Sequence, residues 1–141
     1  MSRQAKLDGA VQRISVVAGI IRKTNDTVLI SNRQNAKTLK DYWEFPGGKI
    51  VPGESSESAL QRELHEELGI DVLSVQYICY IQHDYPSLKV GIEFYLVTNW
   101  RGNPISVEGQ QIKWVKSATL NKQNLLPADA PVIKMLSEMK S

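Results

Sequence analysis

The sequence predicts an α+β fold, a layered domain in which runs of strands are covered by two helices, rather than a doubly wound parallel sheet. Three observations carry that prediction. Apolar, β-branched or aromatic runs recur at 14–21, 27–31, 72–83 and 89–99; two segments, 55–68 and 130 onward, space their apolar residues as helices do; and turn-forming residues separate them. The 141 residues, 42% hydrophobic and 23% charged, suit a single domain spanning 1–141 with a substantial core. Residues 1–13, MSRQAKLDGAVQR, are charged and lack the apolar stretch and small-residue cleavage site of a secretory signal, so they are expected to form a flexible tail on a cytoplasmic protein.

In chain order, ISVVAGII at 14–21 reads as a strand, KTND as a turn and TVLIS as a second strand, the two forming a hairpin. Residues 33–42 are polar and irregular, and WEFPGG at 43–48 brings the chain into a tight turn with Pro46 and two glycines. A helix is expected from Ser55 or Ser56 to Leu68, with a serine cap, Leu60, Leu64 and Leu68 as its buried stripe and Gly69 as its stop. The runs 72–83 and 89–99 flank DYPSL and suggest a long hairpin with Pro86 in its turn, followed by a strand in QIKWVK at 111–116. Val132, Ile133, Leu136 and Met139 place a second amphipathic helix at the end, packed on the core.

The first helix carries the chemistry. Glu63, Glu66 and Glu67 are neighbours on its surface, where like charges three and four residues apart oppose helix formation. A hard divalent cation with oxygen ligands resolves that conflict, and Mg²⁺ in particular favours a few carboxylates together with waters and substrate phosphates. An acidic helix alone is usually just a solvated face; here the glycine turn ahead of it and the spacing of the flanking residues point further.

Composition excludes several alternatives. A net charge of +2 with scattered Lys and Arg disfavours long nucleic acid as a partner, while a small phosphorylated ligand needs no basic stripe. No apolar stretch approaches the roughly 20 residues that span a bilayer. The single cysteine, Cys79, allows no internal disulfide and reads as a small apolar residue within a strand. His65 lies among the glutamates but has no second histidine at metal-ligating spacing, so it is expected to be peripheral.

Residues 48–70, GKIVPGESSESALQRELHEELGI, match without departure the signature of the Nudix hydrolases: G, five residues, E, seven residues, R-E-aliphatic-x-E-E-x-G-aliphatic. Ordinary residue usage makes such a match by chance on the order of one in a hundred million at a given position. The chain further resembles the MutT branch of that family at VAGIIR, WEFPGGKI, VEGQ (107–110) and LPADAPVI. The resemblance implies a Nudix α/β/α sandwich with a mixed β-sheet and a catalytic loop-helix-loop. It also implies divalent-cation-dependent hydrolysis (Mg²⁺, with Mn²⁺ as the alternative) of a nucleoside triphosphate to monophosphate and diphosphate by water attack at the β-phosphorus, of the kind that sanitises 8-oxo-dGTP; the enzyme is expected to be a monomer. Residue by residue, it puts Glu63, Glu66, Glu67, Glu108 and the Gly47 carbonyl around the metal, with Glu63 or Glu108 as general base and Glu63 favoured. Arg62 would orient a catalytic glutamate, Glu54 would support the loop or the outer metal shell, and Arg33 would meet the nucleotide's phosphate.

Substrate choice turns on Asp129, where the MutT branch carries an asparagine that reads the 8-oxoguanine base. An ionised aspartate only accepts hydrogen bonds. That leaves open guanine-type bases, through N1–H and N2–H₂, and cytosine, through N4–H₂, so a CTP or modified-dCTP pyrophosphohydrolase is the alternative. Asp129 also suits an N-cap of the last helix. Phe45, with Tyr85 and Trp43, offers an aromatic surface for the base, although such residues are more often core. A nucleotide-binding Nudix module without catalysis is a further alternative, against which stand the intact glutamates.

Overall fold

The computed structural model describes residues 12–139. The tail expected at 1–13 therefore lies outside the described residues except for Gln12 and Arg13, and Arg13 already belongs to a strand.

The strands are β1 (Arg13–Ile21), β2 (Thr27–Asn32), β3 (Trp43–Glu44), β4 (Gly47–Lys49), β5 (Asp71–Tyr85), β6 (Leu88–Arg101) and β7 (Ile112–Lys116). Helix α1 spans Ser56–Leu68 and α2 spans Ala130–Glu138, with short 3₁₀ turns at Ser117–Lys122 and Pro127–Asp129. One sheet has the order β4-β1-β6-β5, and a smaller one runs β3-β2-β7. The larger is mixed: β1 is antiparallel to β4 and parallel to β6, which is antiparallel to β5.

Side chains alternate across a strand, and that alternation builds two cores. From β1, Val17 and Ile21 point to one face and Ala18 and Ile20 to the other; from β6, Tyr95 and Val97 join the first set while Val90, Ile92, Phe94 and Leu96 join the second. Ala59, Leu60, Leu64 and Leu68 of α1 cover the first face, and Val132 and Leu136 of α2 cover the second. The result is the expected α/β/α layering with a mixed sheet.

The hairpin of β5 and β6 closes as expected, Tyr85 opposite Leu88 across Pro86-Ser87. That of β1 and β2 does not. The turn forms, with the Lys23 N–H donating to the Thr27 carbonyl at 2.9 Å, but beyond one bridge between Arg22 and Val28 the strands part into different sheets. Burial explains the parting: residues 17–21 are all buried, so β1 serves as a central strand between β4 and β6 rather than as half of a two-stranded ribbon. The turn expected at 43–48 holds two very short strands, β3 and β4, one in each sheet.

Candidate active site

Helix α1 starts where Ser55 Oγ accepts the Ser58 N–H at 3.1 Å, and it ends at Gly69, whose φ of 69° is a left-handed conformation that costs glycine little. Burying Leu60, Leu64 and Leu68 leaves Glu63 and Glu67 at the edge of the buried stripe, with Glu63 against Gly48 of β4, and Glu66 half exposed beyond them. At Gly48 a side chain is excluded by the Glu63 carboxylate, and at Gly47 by the Val17 carbonyl of the neighbouring strand. The glycine turn thus lets β4 pass close under the glutamates.

Arg62 organises the near side. Its Nε and Nη2 donate to Glu54 at 2.8 and 3.0 Å, its Nη1 donates to Glu63 Oε2 at 2.9 Å and Glu66 Oε1 at 3.3 Å, and Nη2 also reaches the Lys49 carbonyl at 3.0 Å. One guanidinium therefore ties the loop before the helix, strand β4 and two glutamates together. Hydrogen bonding to Arg62 holds the Glu54 carboxyl below its usual range and pushes the arginine's own pKa upward.

Glu67 is strongly perturbed by its surroundings. Burial, followed by the carboxylates of Glu63, Glu44 and Glu108, pushes its pKa up to about 9, and its Oε2 is buried without a hydrogen-bond partner. Among the described residues no three acidic, imidazole or thiol side chains are drawn into a closed metal cage. The carboxylates are gathered but not locked: Glu66 is 52% exposed, and Glu63 is held by Arg62. An all-oxygen donor set with one orphaned, charge-starved carboxylate fits a hard divalent cation. Glu108 sits on the loop between β6 and β7, exposed and near enough to raise the Glu67 pKa.

A cleft of about 440 Å³ runs from Gly47 and Gly48 past Val16 and Ala18 to Arg33, Glu44, Phe45, Tyr85 and Asp129. At its far end Asp129 is 2% exposed, with Oδ2 unpartnered. Burial, then the nearby Glu44 carboxylate, pushes its pKa well above the ordinary range, against the opposing pull of the Phe45 N–H and Arg33. Asp129 makes no capping bond to α2. Arg33 faces the cleft, but its Nη1 donates to Glu44 Oε1 at 2.8 Å and its Nη2 to the Thr38 carbonyl at 3.1 Å. Phe45 is buried against Phe94, ring centroids 6.4 Å apart, and forms cleft wall, whereas Trp43 lies away from it under the Lys113 ammonium. His65 is peripheral, exposed and paired with Asp71 at 3.2 Å.

Glu44 escaped the sequence reading. Burial raises its pKa while Arg33 opposes the shift, and it stands between the glutamate helix and Asp129, perturbing both. The signal was a lone carboxylate within an apolar and aromatic stretch, W-E-F-P.

Comparison with known proteins follows this geometry closely. The NUDIX domain model matches residues 17–135, nearly the whole of the described chain. The chain belongs to the Nudix family. Among relatives of this Nudix chain, an 8-oxo-dGTP diphosphatase of Haemophilus influenzae is 39% identical over 123 residues, covering 87% of this chain and 90% of the relative. A CTP pyrophosphohydrolase of Escherichia coli is 30% identical over 131 residues, covering 93% and 96%. A solved MutT structure from work on the Aliivibrio salmonicida and Vibrio cholerae proteins superposes with a TM-score of 0.76 at 39% identity, covering 91% of this chain and 98% of that one. The protein is accordingly a Nudix hydrolase with MutT-like architecture. No helix among the described residues is long and apolar enough to cross a membrane.

Proposed function

We propose that this Nudix hydrolase is a Mg²⁺-dependent nucleoside triphosphate pyrophosphohydrolase that converts 8-oxo-dGTP to 8-oxo-dGMP and diphosphate, working as a monomer in the cytoplasm. The observation that carries the reading is the cleft that Asp129 shares with Gly47 and Gly48, the latter packed against the Glu63 carboxylate.

Glu63, Glu66 and Glu67, with Glu108 and the Gly47 carbonyl, are the residues that would hold the cation. When bound, it would neutralise charge on the phosphate oxygens and acidify water. Arg62 keeps Glu63 and Glu66 in place through its hydrogen bonds to both. Because one Glu63 oxygen is committed to Arg62, whereas the exposed Glu108 carboxylate accepts from no donor among the described residues, Glu108 is the better placed to take the proton of the attacking water. Oxygen attacks the β-phosphorus, the bond from that phosphorus to the α,β-bridging oxygen breaks, and the nucleoside monophosphate leaves. Arg33, steered by Glu44, supplies the free face of its guanidinium to the α-phosphate side of the cleft.

Burial changes the expectation for Asp129. Burial raises the Asp129 pKa well above the ordinary range and so favours its protonated form, which presents one donor and one acceptor, as the asparagine amide of the MutT branch does. That pairing suits 8-oxoguanine, whose O6 acceptor is flanked by N–H donors. The higher similarity to relatives named 8-oxo-dGTP diphosphatase, 39% identity against 30% for the CTP enzyme, favours this reading over the pyrimidine alternative. The second reading, a CTP or modified-dCTP pyrophosphohydrolase, rests on the similarity to the E. coli CTP enzyme and on an aspartate as the base-reading group.

Parallel kcat/KM measurements on 8-oxo-dGTP, dGTP, CTP and 5-methyl-dCTP with Mg²⁺, products resolved by chromatography, test the proposal. The expected result is 8-oxo-dGTP preferred over CTP by about a hundredfold or more, since a buried polar pair discriminates strongly. A preference for CTP or 5-methyl-dCTP selects the second reading, and no cleavage of any of the four rejects both.

A further inference from the structure

The loop that carries Glu108 is fastened to the catalytic helix by one buried amide. Gln110 is only 9% exposed, one of three buried polar or charged residues among those described. Its Oε1 accepts from the Glu108 N–H at 3.1 Å and from Ser106 Oγ at 3.0 Å, and its Nε2 donates to the Glu67 carbonyl at 3.2 Å. Ser106 Oγ shares its one proton between that Oε1 and the Gln110 carbonyl, closing the loop upon itself.

The Glu67 carbonyl belongs to the last turn of α1, where backbone acceptors have no partner within the helix. The 105–110 loop satisfies them. Val107 N–H donates to Glu67 O at 3.0 Å and Ile105 N–H to Leu68 O at 3.0 Å. Gln110 adds a second donor to the same Glu67 carbonyl, so the residue whose side chain is a proposed metal ligand has its backbone gripped by the loop bearing the proposed base. From the other side the loop is held more loosely, by Gln34 Nε2 on Gly109 O at 3.2 Å and Asn35 Nδ2 on Glu108 O at 3.4 Å.

We propose that Gln110 is a positioning residue for the reaction: by bridging the Glu108 N–H to the Glu67 carbonyl, its side-chain amide sets where the Glu108 carboxylate stands over the glutamates of α1. The inference rests on the proposed role of Glu108. An amide is the side chain that serves here, because the position needs an acceptor for two donors and a donor for a carbonyl at once. Glutamate in its ionised form keeps the acceptor and loses the donor; alanine loses both.

A double-mutant cycle tests it, with Mg²⁺ and 8-oxo-dGTP, or whichever triphosphate of the panel is cleaved fastest. Glu108→Gln should lower kcat about a hundredfold, in the range of a lost general base. Gln110→Ala should lower kcat about tenfold by misplacing Glu108, with nucleotide KM changed less than twofold. In the E108Q background, Q110A should cost less than a further factor of about two, because the group it positions is already gone. Should Q110A fold poorly, the near-isosteric Q110E, which retains the bonds within the loop, is measured the same way and is expected to show the same kcat loss. A slow E108Q beside a fully active Q110A or Q110E, or losses that multiply in the double variant, overturns the role of Gln110 alone. Full activity in E108Q overturns the assignment of Glu108 and the inference with it.

Discussion

Asp129 is buried to 2% exposure with an unpartnered oxygen, and its nearest charged neighbour in effect is another carboxylate, Glu44. The folded protein therefore holds the Asp129 proton to higher pH than the unfolded chain does. Proton linkage fixes the sign: the contribution to stability is fully present below the unfolded carboxyl value near 4 and is lost as pH rises through the raised folded pKa. Asp129→Asn carries no such proton and stays neutral beside Glu44 at every pH. Its thermal midpoint should overtake that of the wild type as pH increases, the difference growing by roughly 3 °C or more between pH 5 and pH 8. Melting curves across that range check the prediction, and a pH-independent difference would mean that Asp129 is ionised in the folded state. None of this was legible in the sequence. LPADAP shows an aspartate at a helix start, where capping is the ordinary expectation; its solvation depends on Phe45 and Glu44, more than eighty residues earlier in the chain.

Helix α1 and strand β4 together form the element that matters for catalysis, and two adjacent glycines separate its structural and chemical demands. A methyl group at Gly47 would run into the backbone carbonyl of Val17, which cannot yield without breaking the pairing of β4 with β1; one at Gly48 would meet side-chain atoms alone, the Glu63 carboxylate, which would have to shift from Arg62. Gly47→Ala should lower the thermal midpoint by about 5 °C or more, whereas Gly48→Ala should shift it by less than about 2 °C and reduce kcat about tenfold or more. Melting and steady-state kinetics on the two variants decide the point, and a G48A enzyme of full activity would show that Glu63 has freedom to spare. Helix α1 itself was legible because its signals are local: Ser55 at the cap, leucines every four residues and Gly69 at the stop. Strands β3 and β4 were not, since two or three residues are too few to show a period. Nor was the parting of β1 from β2, because a central strand's partners are chosen by burial on both faces and β6 lies about seventy residues away.

At the scale of the whole molecule, the sheet separates two cores, and a cleft beside it reaches from Gly47 and Gly48, next to Glu63, to Asp129. The acidic part of this site could be read from the chain because the motif from Gly48 to Ile70 is contiguous and dense in chemistry. Glu44 and Gln110 could not be read in the same way: their importance comes from distant groups, Arg33 and Asp129 in one case and the end of α1 in the other. The central claim is that the carboxylates of α1 hold a divalent cation, and calorimetric titration of Mn²⁺ into the wild type and Glu67→Gln tests it most directly. Saturable binding to the wild type is predicted, weakened about tenfold or more in E67Q, while metal-free E67Q melts no lower than wild type because a buried carboxylate crowded by its neighbours has been neutralised. Equal Mn²⁺ affinity in the two proteins, or no binding to the folded wild type, would contradict it.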